Sequence, residues 1–178
     1  GVSYPAADPN VLAVGAVYSR SYGREGRGAR ATWTGPDRVT YFSQRTTGLP
    51  EIFAPGSPIA GADSAGGVYV EQGTSQAAPH VAGVAVLMQQ LADRVLGRRL
   101  GIDEMRSLMM RTGDRIVDGD DERDPVVNTG ATYRRLDVIA MANALWKMAG
   151  PEVKVLLESG PGKVTTLTDD VSKIAFGS

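Results

Sequence analysis

Few side chains in this sequence are suited to bond-making chemistry, and the best placed of them sit together. Gly73-Thr74-Ser75 closes a glycine turn and opens a long apolar stretch. A hydroxyl there serves one of two ends. It caps the helix by accepting from amide N–H groups that the first turn leaves unpaired. Or Ser75 is a nucleophile, and the same free N–H groups and the positive end of the helix dipole face an oxyanion. The tripeptide alone leaves both readings open.

His80, five residues further on, is the single imidazole of the chain and suggests itself as the base for Ser75. Helix geometry argues against the pairing. Five residues turn the chain about 500°, a net 140°, and raise it roughly 7.5 Å, so the two side chains diverge. His80 is expected to be a packed, hydrogen-bonded helix residue. With one His and no Cys, two-imidazole relays, thiolate nucleophiles and Cys-ligated zinc are all excluded within this chain. The acidic run Asp118-Gly119-Asp120-Asp121-Glu122-Arg123-Asp124 lacks the alternating ligands and closing Glu of an EF-hand and contains Arg123. It is expected to be a solvated loop, not a Ca²⁺ site.

Several elements must position these residues. Val11-Leu12-Ala13-Val14-Gly15-Ala16-Val17 is nearly all apolar, as in a strand buried on both faces of a parallel sheet. Residues 19–37 read as a surface loop, with Arg20, Arg24, Arg27 and Arg30 solvated, followed by a short strand over 39–42. Residues 51–54 and 67–71 read as strands delivered to glycine turns. A helix then runs from Thr74 to a Gly97 stop. Its small residues Ala77, Ala78, Ala82, Gly83 and Ala85 predict a buried N-terminal half, and Gln89, Gln90, Asp93 and Arg94 a surface one. Two more helices are expected, over 103–111 with Met105, Leu108 and Met109 inward, and over 136–148 with Leu136, Ile139, Ala140, Ala144 and Leu145 inward.

Composition narrows the class. Nineteen basic against twenty acidic residues give a net charge of −1, which disfavours nucleic-acid and membrane-surface binding. The longest apolar run, 81–88, is too short to span a bilayer. Gly1 is preceded by no Met and no signal-like core, and a polar, turn-rich stretch follows 154, so both ends are expected to be cut.

The unbroken string Gly73-Thr74-Ser75-Gln76-Ala77-Ala78-Pro79-His80-Val81-Ala82-Gly83 resembles the nucleophile motif of the subtilases, the subtilisin-like serine proteases. Tyr4 to Ala16 is similar to that family's entry into a core strand, Phe53-Ala54-Pro55-Gly56 to its strand before the nucleophile loop, and Gly130 to Leu145 to its closing helix. The resemblance implies an α/β fold, three-layer α/β/α with a mainly parallel sheet, incomplete here. It implies residues 1–148 as the C-terminal part of a peptidase domain, with 149–178 as an extension or the start of a further segment.

By the same resemblance Ser75 attacks the scissile carbonyl and gives its own N–H to the oxyanion hole, with Thr74 supporting that hole. Tyr4-Pro5 falls where the family often has a cis X–Pro bond beside the substrate pocket, and a plain turn proline is the other reading. The carbonyls of Ala6, Asp8 and Val11, with Glu51, match a weak cation site, but Leu49 stands at its second acidic position; no cofactor is required. The family's catalytic Asp and His and oxyanion Asn precede this stretch, so this chain alone is expected to be inactive. In subtilisin itself, loss of the His lowers kcat about 10⁶-fold. The expected partners are a polypeptide substrate and the missing N-terminal part of the domain, without nucleic acid or membrane, and the expected location is extracellular. Two other readings stay open: a non-catalytic peptide- or partner-binding module of this fold, and an unrelated α/β domain in which Gly73-Thr74-Ser75 is only a cap. An isolated chain with an unpaired sheet edge is expected to be poorly stable.

Overall fold

The computed structural model describes residues 1–23, 33–119 and 126–149, together with the backbone of Leu156–Glu158 and Val164–Thr166. In chain order the elements are β1 (Val14–Tyr18), β2 (Ile52–Ser57), β3 (Ile59–Ala62), β4 (Val68–Glu71), α1 (Thr74–Leu96), α2 (Ile102–Thr112), β5 (Asp114–Val117), β6 (Thr132–Arg135), α3 (Val138–Met148), β7 (Leu156–Glu158) and β8 (Val164–Thr166). They fall into two compact units, 1–83 with 113–136, and 84–112 with 137–178.

The first unit holds a four-stranded sheet of order β1-β2-β6-β5, whose β1–β2 and β2–β6 pairs are parallel and whose β5–β6 pair is antiparallel. The fold is α/β with a mainly parallel sheet. Its core is Val17, Val39, Phe53, Ile116 and Tyr133. Gly15 lies opposite Phe53 in the β1–β2 register, and a Cβ there would come within 2.4 Å of the Phe53 ring. The missing side chain at 15 is thus the space Phe53 fills, and Phe53 in turn packs on Tyr133 at 4.9 Å between ring centroids.

The expected strand over 39–42 is a single antiparallel bridge, Val17 to Val39. Asp37, at φ 68°, turns the chain in, and a further turn at 41–42 takes it away. Between those turns the segment covers the outer edge of β1: Tyr18 N–H donates to Arg38 O, Thr40 N–H to Ala16 O, and Ala16 N–H to Ser43 Oγ. Strands β3, β5 and β6 go beyond the sequence expectation. β5 and β6 carry Asp114, Arg115, Arg134 and Arg135, a charge density that hides their pairing. Arg135 forms ion pairs with both Asp37 and Asp114.

Asp118 corrects the reading of the acidic run. It is fully buried and forms an ion pair with buried Arg45 at 2.8 Å. Thr129 donates to its second oxygen from both N–H (2.6 Å) and hydroxyl (2.8 Å). A charge inside a run of charges looks solvated until its partner, 73 positions away in sequence (118 against 45), is known. Asp120 to Asp124 lie outside the described residues, as do Arg24, Arg27 and Arg30, whereas Arg20 is exposed as expected.

The second unit contains residues 84–96 of α1, then α2 and α3, with α2 packed on α3. Met105, Leu108 and Met109 are the buried face of α2, as their spacing predicts. Gln89 is half-buried, not a surface residue: its amide donates to Leu100 O (2.9 Å) and accepts from Leu100 N–H (2.8 Å). The connection after α1 is thereby pinned from both sides. α3 begins one residue after its cap, Asp137, whose carboxylate accepts from Ala140 N–H. Leu136 therefore belongs to the preceding strand end, where its N–H donates to Phe53 O in the first unit. Counted from the true start, the buried face of α3 is Met141, Ala142 and Leu145, and Ile139 is exposed.

The N-terminal half of α1 is also a correction. Ala77 and Val81 are buried, but Ala78, Pro79, His80, Ala82 and Gly83 are exposed. Burial follows one face only, Ala77, Val81, Met88, Ala92 and Val95; among the described residues nothing covers the other. No helix among them is long and apolar enough to cross a membrane.

Candidate active site

Strand β2 and the start of α1 are joined through a closed excursion. After Ser57 the chain crosses a cis bond to Pro58, runs out along β3, returns along β4, and is closed at its neck where Gly73 N–H donates to Gly56 O at 2.9 Å. Gly56 permits that closure: a Cβ there would lie 2.6 Å from Ala16 Cβ and 2.7 Å from Gly73 O. The sheet therefore sets the position of the turn that begins α1. Gly73 O then accepts from Gln76 and Ala77 N–H, which starts the helix.

Thr74 and Ser75 follow directly. Ser75 is exposed; its Oγ has no hydrogen-bond partner among the described residues, and the N–H groups of Thr74 and Ser75 have no backbone acceptor there. The first turn of α1 thus presents a hydroxyl and two unsatisfied donors at the positive end of a helix of 23 residues. Chemically, that is the equipment to hold an oxyanion beside a nucleophile. No acidic or imidazole side chain of the described residues bonds the hydroxyl. His80 Nδ1 lies 2.7 Å from Gln76 O, and since a carbonyl only accepts, Nδ1 donates to it. His80 is hydrogen-bonded as expected but exposed, not packed.

Thr74 forms part of the wall of a cavity of about 320 Å³. Val2, Ser3 and Ala6 line it from the N-terminal segment, Ala13 and Val14 from the start of β1, and Phe42, Gln44 and Pro50 from the segment before β2. Sequence reasoning missed these last three, because their segment has no periodicity. That segment is anchored by Arg45, which donates to Thr40 O, Ser43 O and Asn128 Oδ1 besides pairing with Asp118. Burial pushes the Asp118 carboxyl up, but hydrogen bonds from Arg45 and Thr129 outweigh it and leave the group below the usual carboxylate range.

The Tyr4-Pro5 bond is cis. Tyr4 is 77% exposed and donates to Asp8 at 3.3 Å, and the cavity wall is built from the residues flanking the pair. Of the groups matched to the cation position, Asp8 O accepts from Val11 N–H, and Glu51 from Ala13 N–H. Asn10 N–H, the main partner of the Asp8 carboxyl, holds it below its ordinary value. Among the described residues no three acidic or His side chains gather as a metal site.

Comparison with known proteins bears on the same region. A curated subtilisin-like protease 1 of Arthroderma gypseum is 38% identical over 89 residues, covering 50% of this chain and 15% of that protein. Its counterpart from Trichophyton rubrum is 38% identical over the same length. Among solved structures, the patellamide maturation protease PatA matches with a TM-score of 0.54 at 28% identity, over 79% of this chain and 45% of that one. The prenylagaramide maturation protease PagA matches in fold, with a TM-score of 0.57 at 24% identity, over 80% and 45%. The chain thus spans less than half the length of each. The profile of the subtilase family covers residues 1–135, from the cavity-lining N-terminal segment through the turn at Gly73 to the last strand of the sheet, and the chain belongs to the subtilase family.

Proposed function

We propose that the complete protein is a serine endopeptidase that cleaves polypeptides through an acyl-enzyme, with Ser75 as its nucleophile. The observation that carries this is the exposed, unbonded Ser75 hydroxyl at the first turn of α1, beside two free N–H donors. Ser75 Oγ attacks the scissile carbonyl, its proton passes to a base, and the Ser75 N–H faces the developing oxyanion with Thr74 next to it. The cis Tyr4-Pro5 segment and the cavity at Thr74 form one side of the substrate pocket.

The base, its orienting Asp and the oxyanion Asn come from outside these 178 residues. His80 supplies none of these roles: five residues along α1 its side chain diverges from Ser75 by about 140° and roughly 7.5 Å, and its hydrogen bond is to Gln76 O, not to Ser75. This chain by itself is therefore inert, and the N-terminal part of the domain is its partner. The exposed face of α1, with Val86 60% and Leu87 53% exposed, is apolar surface for that partner to cover. The proposed chemistry runs on protein side-chain and backbone groups and calls for no cofactor. We read the protein as acting outside the cell, a reading supported by likeness to its family alone.

The test is hydrolysis of an unstructured polypeptide by the complete protein, its Ser75→Ala variant and this chain alone. Cleavage by the first only is expected. Cleavage that persists in Ser75→Ala refutes the assignment, and cleavage by the chain alone refutes the need for an outside base.

A further inference from the structure

The ribbon formed by β3 and β4 is unlike the rest of the first unit. All four residues of β4 are exposed, with Val68 at 73%, Tyr69 at 56% and Val70 at 55%, so neither face of the strand is packed. Its pairing register is Ile59 to Glu71, Ala60 to Val70, Gly61 to Tyr69 and Ala62 to Val68. At the turn, Asp63 N–H donates to Gly67 O, which makes 63 and 67 a hydrogen-bonded pair. In an antiparallel ladder such pairs alternate with non-bonded ones. Gly61 with Tyr69 and Ile59 with Glu71 are then bonded pairs, and the N–H and C=O groups of Val68 and Val70 point outward from β4.

That outward edge lacks the strongest guards against pairing. It has no Lys, Pro or bulge, and its residues are Val-Tyr-Val, strong strand formers. The opposite edge, at Ala60 and Ala62, follows Pro58 and contains Gly61, both unfavourable to strand addition. The β4 edge also leads straight into the candidate site, because Val70 is five residues before Ser75, at most about 17 Å of extended chain. The ribbon's two charged side chains, Asp63 and Glu71, are both acidic.

We propose that the outer edge of β4 docks an extended stretch of the polypeptide on which Ser75 acts, by strand addition. Val68 and Val70 supply the backbone hydrogen bonds, their side chains receive alternate apolar residues, and Asp63 and Glu71 favour basic residues at the ends. The docked stretch lies within about five residues of the bond cleaved. The identity of the occupant rests on the peptidase reading; the docking edge itself rests on the ribbon.

The experiment is amide hydrogen exchange on the chain with and without a fluorescein-labelled peptide Lys-Val-Thr-Val-Thr-Val-Lys, with binding followed in parallel by anisotropy. Slowing of the Val68 and Val70 amides by about tenfold or more on adding peptide is expected. Val70→Pro, which removes an outward N–H but no ladder bond, is expected to weaken binding about tenfold. The same peptide with alternate amides N-methylated tests the point with the protein unaltered and is expected to bind equally poorly. Absence of protection at Val68 and Val70, or full binding by the N-methylated peptide, overturns the proposal. Protection that arises without peptide and grows with protein concentration also overturns it, since the edge then pairs copy with copy. Binding is read without turnover, so failure of the docking edge shows in exchange, and failure of the peptidase reading shows in hydrolysis.

Discussion

Replacing Asp118 by Asn should be among the most damaging single changes available in the first unit, although the residue sits at the head of an acidic run. Its partner Arg45 has a side chain 2% exposed, and Asp118 is wholly enclosed. The Arg45 guanidinium gives its donors to Thr40 O, Ser43 O and Asn128 Oδ1, while its Nε has no acceptor. The network therefore has no spare acceptor with which to neutralise the cation once the carboxylate is gone. Removing one member of such a buried pair costs about 3–5 kcal/mol, whereas replacing both by apolar groups of similar volume is often neutral or stabilising. Asp118→Asn and Arg45→Met should each lower stability by that amount, and Arg45→Met with Asp118→Leu should lose far less than the sum. The assay is urea unfolding followed by Trp33 fluorescence in a Trp146→Phe background, because Trp33 lies in the first unit and Trp146 in the second. Additive single effects, each under about 1 kcal/mol as for an exposed pair, would refute the reasoning.

Other consequences are open to measurement. Because the Asp118 carboxyl is depressed in the folded chain, its contribution to stability is complete above the unfolded carboxylate pKa of about 3.9 and is lost as pH falls through the lower folded value. An acid-unfolding curve of the first unit should shift toward neutral pH in Arg45→Met. Gly56→Ala should cost about 1–3 kcal/mol by overpacking, since its Cβ meets Ala16 and Gly73 O. Ala at 56 should also speed amide exchange at Gly73, and an unchanged Gly73 rate would count against the closed neck. Asp137→Ala should cost about 1 kcal/mol through loss of the α3 cap, read as a lower urea midpoint of the second unit. Glu104, lowered to about 2 by its hydrogen bonds from Arg98 and Gly101, should titrate near that value by NMR and return toward the usual carboxylate range in Arg98→Ala.

Strands β1 and β2 and the helices were legible because their apolar residues are local: the 11–17 run, Ile52-Phe53-Ala54, and the face Met105, Leu108 and Met109 of α2; β2 nevertheless runs on through Pro55-Gly56, where a stop is expected, to Ser57. The turn at Gly73 was legible as a motif. What escaped is set by distant partners. β5 and β6 are held by pairing with each other and by Arg135 reaching Asp37 and Asp114, which no local window shows. Asp118 looked solvated because nothing nearby in sequence announces Arg45. The α3 face was misphased by a single error in its start, since Leu136 bonds to Phe53 O as strand and Asp137 begins the helix. The wall of the cavity at Thr74 was illegible for a similar reason: Phe42, Gln44 and Pro50 lie in an aperiodic segment whose position is given by Arg45.

The central claim, that Ser75 is a nucleophile completed from outside this chain, is tested most directly by a fluorophosphonate probe and intact-mass spectrometry with peptide mapping. The account predicts a single adduct on Ser75 in the complete protein, none in its Ser75→Ala variant and none on this chain alone. An unlabelled Ser75 in a complete protein that cleaves polypeptide, or an adduct on another residue that carries the activity, would contradict it.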